Sequence, residues 1–196
     1  DDDDTSPFTS VLSVAGQGRS SIAIAPSSES TVYVMASSLT SGGTGIYGLH
    51  AVYRSTSNGD AGSFTTRTDG KGTGTTLPAR LGRALLTNPV YAFLSDCSFG
   101  STSFFNQGWY DNVIAVDPVD PDRVWAGGID LFRSDDGGLT WGTTGYWWFP
   151  KGNPDYHHAD QHAVVFHPHY DGTTNTVMFS ATDGGVERID DARAVT

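Results

Sequence analysis

Three aspartates and a run of histidines are the residues of this chain best suited to chemistry. Asp111, Asp160 and Asp183 each stand beside a short apolar run. A carboxyl pair about 5–5.5 Å apart suits retaining glycoside hydrolysis, and one about 6.5–9.5 Å apart suits inversion. Asp160 also lies within His157–His169, HHADQHAVVFHPH, which holds five of the six histidines. His158, Asp160 and His162 alternate, so on a strand they share one face. Imidazole with carboxylate is a ligand set for zinc or copper. The run has no H-E-x-x-H and no partner cysteine, so we expect a polar pocket wall or a hydrogen-bond network, with no metal and no cofactor. Asp117, Asp120 and Asp122 in DPVDPD fit no calcium-loop spacing and read as Asp-Pro turns.

Two aromatic groups stand beside these acids: Phe104, Phe105, Trp109 and Tyr110, then Tyr146, Trp147, Trp148 and Phe149. A pyranose face packs on an aromatic plane while its hydroxyls bond to nearby acids and amides. Packing between neighbouring parts of the fold, or against a partner, is the alternative for the same rings. The chain carries no G-x-S-x-G elbow, Walker loop or dinucleotide fingerprint.

Composition narrows the partners. Eleven basic residues face 22 acidic ones, a net charge of −11, which excludes nucleic acid and anionic membrane as natural partners. A single cysteine, Cys97, excludes an internal disulfide. No apolar run approaches the roughly 20 residues of a membrane span. The opening Asp1–Asp4 is no translation start, and we expect the chain to be a processed or excised piece.

What must position these residues is an internal repeat. One copy reads SSIAIAP (Ser20–Pro26), TVYVMAS (Thr31–Ser37) and AVYRSTS (Ala51–Ser57). The second reads NVIAVDP (Asn112–Pro118), RVWAGG (Arg123–Gly128) and DLFRSDD (Asp130–Asp136). The third reads HAVVFHP (His162–Pro168), TVMFSA (Thr176–Ala181) and GVERIDD (Gly185–Asp191). Runs of four to six β-branched or aromatic residues between Gly, Pro and Asp turns predict strands. With 24 glycines to supply turns, the chain is expected to be all-β. Aligning the copies on Pro26, Pro118 and Pro168 makes Arg19, Asp111 and Gln161 equivalent, and Ser20, Asn112 and His162 next to them. Varied polar residues at such inner positions suit a binding face, and they also suit turn caps.

The second copy runs on into LFRSDDGGLTW, Leu131–Trp141. Ser134, Asp136, Gly138, Thr140 and Trp141 fit S-x-D-x-G-x-T-W, and the stretch resembles the Asp box, or bacterial neuraminidase repeat. That repeat is shared by sialidases, sortilin-like receptors, xyloglucan-cleaving hydrolases and other secreted propellers. The resemblance implies a β-propeller of four-stranded antiparallel blades, about 45 residues each, with the box stapling a hairpin away from the ligand face. It implies three blades with a fourth in doubt, likewise a portion of a larger propeller. Residues 1–14 are expected to be the fourth strand of a preceding or closing blade, with Phe8–Val14 as its strand. Residues 18–68 are expected to form a blade, 69–108 a degenerate blade or long insertion, 109–149 the Asp-box blade and 157–191 an incomplete blade.

The resemblance also implies an extracellular setting. A sialidase would need three arginines, a Tyr nucleophile and its Glu partner, yet no R-I-P is present and Arg19 is the one inner arginine. We expect a non-catalytic module binding glycan or extracellular protein through Arg19, Trp109, Tyr110, Asp111, Asn112, His158, Asp160, His162, Trp147 and Trp148. A glycoside hydrolase fragment is the competing reading. A structural subunit that pairs its open blade edges with other copies, or with the rest of a parent propeller, is the third.

Overall fold

A computed structural model describes residues 8–72, 76–88 and 105–194. Eleven strands and one helix form within them. The first sheet is a meander of β1 (Gln17–Ala25), β2 (Ser28–Ser38), β3 (Leu49–Ser55) and β4 (Thr65–Asp69). After helix α1 (Leu77–Arg83), the second sheet comprises β5 (Val113–Val116), β6 (Val124–Gly127), β7 (Leu131–Ser134) and β8 (Gly142–Thr143). The third sheet has three strands, β9 (Gln161–Phe166), β10 (Met178–Thr182) and β11 (Gly185–Ile189). Every pairing within the sheets is antiparallel. The protein is all-β, and its four-stranded antiparallel meanders are built as the blades of a propeller are.

The first strand of each sheet lies beside the first strand of the next, β1 against β5 and β5 against β9. Strand alternation decides what each face does. Ala23, Ala25, Tyr33, Met35 and Val52 pack toward Ile114, Val116, Val124, Ala126 and Phe132 in the core between the first two sheets. Ala115, Trp125 and Leu131 then pack on Val164, Phe166, Met178 and Ile189 of the third. β5 and β6 are thus apolar on both sides, which explains their short continuous apolar runs.

One expectation is corrected here. Phe8–Val14 forms no strand. Its Leu12 packs instead beside Val34, Ala36, Ala51 and Tyr53 on the first sheet, because that sheet follows directly in the chain while β11 lies at the far end of the stack. The described part of residues 69–108, expected as a degenerate blade or a long insertion, holds no further strand after β4 ends. It contains α1, opened by Thr76 with a proline in its first turn, and an isolated bridge between Thr87 and Asn106. Leu81, Ala84, Leu85 and Leu86 fill the core between the first two sheets. Residues 89–104, with Cys97 and Phe104, lie outside the described residues. Among the described residues no helix is long and apolar enough to cross a membrane.

Candidate functional site at the strand entrances

The residues that enter β1, β5 and β9 meet at one end of the sheets. Arg19 donates from Nη1 to the carbonyls of Trp109 and Tyr110, at 3.0 and 2.5 Å. The Asn112 amide donates to Arg19 O at 3.1 Å, and the Ser21 hydroxyl donates to Asn112 O. On the other side, Asp160 N donates to Ile129 O at 2.9 Å and Gln161 N to Gly128 O at 2.8 Å. Polar residues expected as binding groups thus partly serve as stitches between sheets. Arg19 and Asn112 belong to that class.

Trp109 and Tyr110 form the surface. Their rings are 5.5 Å apart, Tyr47 stands 6.5 Å from Trp109, and His162 stands 5.0 Å from Tyr110. All four side chains are solvent-exposed or partly so, giving a stepped aromatic shelf. Asp183 sits at its end, accepting from Tyr110 OH at 2.9 Å and contacting His162 Nε2 at 2.6 Å. The His162 and Tyr110 hydrogen bonds hold the Asp183 carboxyl below the usual carboxylate range, and the same contact raises the Tyr110 phenol.

Behind the shelf lies a carboxyl pair. Gln107 Nε2 donates to Asp111 Oδ2 at 3.0 Å and to Asp160 Oδ1 at 2.8 Å. Asp111 is 0% exposed. Burial pushes its carboxyl up, and the neighbouring Asp160 pushes it further, since two adjacent carboxylates cannot both ionise cheaply. Asp130, buried nearby and bonded to the backbone N–H of Trp147, is pushed up to about 8 mainly by burial. Backbone strain collects here too. Among the described residues three non-glycines have left-handed φ angles, and Tyr47 (66°) and Asp160 (67°) are two of them.

That geometry corrects the expectation that His158, Asp160 and His162 share a strand face. β9 begins only at Gln161, and the left-handed Asp160 breaks the alternation. His158 turns back, its Nδ1 bonding with Ala159 O at 2.9 Å. His157 bridges Glu187 at 2.6 Å and Gln161 at 2.9 Å, and Ser180 donates to the same Gln161 oxygen at 2.6 Å. Among the described residues no group of three His, Cys, Asp or Glu side chains is placed to hold a metal. Trp147 and Trp148 form a separate cluster with Tyr146 and Phe149, ring centroids 4.9–6.2 Å apart.

The Ser134–Trp141 hairpin lies at the opposite end of its strands. Asp136 accepts from the backbones of Leu139 and Thr140 at 2.9 Å, from Ser134 Oγ at 2.8 Å and from Thr140 Oγ1 at 2.6 Å. Gly138 N donates to Ser134 Oγ at 2.8 Å, and Trp141 Nε1 donates to Gly138 O at 3.1 Å. Gly137 and Gly138 supply the left-handed φ angles, 71° and 87°, that the turn requires.

Sequence reasoning missed Gln107 and Tyr47. Gln107 lay in a stretch read as loop, with nothing to announce a partner 53 positions away. Tyr47 follows a glycine-rich turn, GGTGIYG, whose φ pattern no strand or helix period reveals.

No family model and no curated protein matches this chain. Among solved structures it is similar to the GH74 enzyme of Niastella koreensis, at 19% identity and a TM-score of 0.49. The likeness covers 92% of this chain and 22% of that one, so the chain spans about a fifth of the enzyme's length.

Proposed function

We propose that the chain is a non-catalytic binding module for neutral glycans, working outside the cell, with the Tyr47–Trp109–Tyr110–His162 shelf as its binding surface. The observation that carries this reading is the shelf itself: adjoining exposed rings, ending on the carboxylate of Asp183. Sugars stack on such planes, and a carboxylate at the rim accepts their hydroxyls. A neutral ligand is favoured because Arg19, the cation at the shelf, spends its guanidinium on two backbone carbonyls, while three aspartates stand nearby. The extracellular setting rests on the Asp-box resemblance.

A second reading, glycoside hydrolysis, is favoured by the raised Asp111 carboxyl beside Asp160. Against it, Asp111 has no exposed surface from which to protonate a glycosidic oxygen, as a general acid must.

Calorimetric titration with neutral β-glucan and xyloglucan oligosaccharides tests both. Trp109→Ala should weaken binding roughly 10- to 100-fold, the worth of one stacked ring, with the melting temperature little changed. Equal affinity in the variant overturns the shelf as the binding surface. Release of reducing sugar by the native chain, abolished in Asp160→Asn, overturns the non-catalytic role.

A further inference from the structure

The three sheets repeat one rung. Ala23, Tyr33 and Arg54 pair across the first sheet, Ala115, Trp125 and Arg133 across the second, and Val165, Phe179 and Arg188 across the third. In the first two, the rung faces the following sheet and the arginine clamps onto it. Arg54 lies over the Tyr33 ring and reaches Asp122, in the β5–β6 turn, at 2.5 Å. Arg133 lies over Trp125 and donates to the carbonyls of Ala192 and Ala194, beyond β11. These two side chains are 17% and 7% exposed, whereas Arg188 is 62% exposed and pairs with its neighbour Asp190. Val165 is 58% exposed at the position that Ala115 buries. The third rung is the same interface, left open among the described residues.

Its counterpart is open at the other end of the stack. Ile22 and Ile24 occupy the ladder positions of Ile114 and Val116, which meet the preceding sheet, yet they are 67% and 56% exposed. Leu12 and Phe64 cover only the Val34–Tyr53 side of that face. Glu29, at the start of β2 just after the β1–β2 turn, is adjacent to the ladder position that Asp122 fills in the second sheet, and it too is exposed. A cavity of about 380 Å³, lined in part by Phe179, Arg188 and Asp190, opens on the third sheet where such a turn would seat.

We propose that a second copy of this chain docks head to tail, its Ile22–Ile24 face on the Val165–Phe179–Arg188 face, with Glu29 meeting Arg188. The argument is continuity. The chain makes this face pairing twice internally, and its two free faces are the two halves of a third. Two copies joined at both ends give six sheets, within the usual range of closed propellers. This surface is independent of the aromatic shelf.

Sedimentation velocity of the purified chain, from micromolar to sub-millimolar concentration, should show 20.8 kDa monomers converting to a species of twice that mass. Val165→Glu and Ile22→Glu should each be monomeric, with unchanged circular dichroism because both positions are exposed. Mixing the two variants should restore the two-chain species, since one intact junction remains. Arg188→Glu should weaken assembly at least tenfold, and Glu29→Arg in the same chain should restore it. A native chain that stays monomeric throughout, as it would if only a different blade fits these faces, overturns the proposal. So does a dimer indifferent to Val165→Glu, failure of the mixed variants to pair, or an open series of higher masses.

Discussion

Asp136 and Asp111 are the same side chain put to opposite uses. Asp136, in the hairpin joining β7 to β8, gathers two backbone N–H groups and two hydroxyls, and those bonds, outweighing its partial burial, lower its carboxyl. Asp111, at the strand entrances, is buried against another carboxyl and raised. The hairpin's left-handed angles fall on glycines, while at the entrances Tyr47 and Asp160 adopt them. One region is satisfied bond by bond. The other gathers a buried, raised carboxyl, strained backbone and exposed rings. Such a concentration of unfavourable features is typical of sites where a fold gives up stability for binding, and it is the reason the binding surface is proposed at the entrances rather than at the conspicuous motif.

The sharpest way to break this comparison is Asp136→Ala. Four hydrogen bonds disappear and two backbone donors of a tight turn lose their acceptor. At about 1 kcal/mol per bond, the loss should reach roughly 2–4 kcal/mol in chemical denaturation, with shelf affinity unchanged in the protein that remains folded. A loss below about 1 kcal/mol would mean the glycines alone hold the hairpin.

This contrast also explains what the sequence discloses. The Ser134–Trp141 hairpin is legible because its partners lie within seven residues, so spacing is geometry. The blade strands are legible for the same reason: alternation and proline-closed turns are local. The entrance site is assembled from Tyr47, Gln107–Asp111, Asp160–His162 and Asp183, and no local period links them. Trp109, Tyr110, Asp111, Asp160 and His162 could be nominated by chemical type and by their place before a strand. Their division into shelf rings and a buried pair depends on Gln107 and on the turn at Asp160. Helix α1 escaped because seven residues are too few to show a helical period.

A finer cut uses pH. An acid whose carboxyl is raised on folding holds a proton that the unfolded chain releases. Its stabilisation is complete below the unfolded pKa, near 4, and is lost as pH rises toward the folded value. Asp111 and Asp130 share that direction, each contributing up to about 1.4 kcal/mol per pH unit in the window. The native protein should therefore lose stability between about pH 5 and pH 8. Asp111→Asn keeps the shape, retains an amide that can donate to Asp160, and removes one titrating group. Its melting temperature should exceed the native one at pH 8 and approach it at pH 5. Parallel profiles for the two proteins would show that Asp111 ionises normally and would remove the contrast with Asp136.

The smallest expected effect lies on the shelf itself. Asp183 is exposed at its rim, so it adds little to stability, but His162 and Tyr110 hold it below the usual carboxylate range. Losing the first of these should let it titrate closer to an ordinary aspartate. In His162→Phe the ring edge toward Tyr110 is kept and the hydrogen bond is removed. Carboxyl-carbon NMR should then show the Asp183 midpoint moving up, and glycan affinity should begin to fall at correspondingly higher pH on the acid side. If the midpoint moves while affinity keeps its native acid limb, Asp183 only positions Tyr110, and the shelf binds through its rings alone. If both move together, the carboxylate touches the sugar.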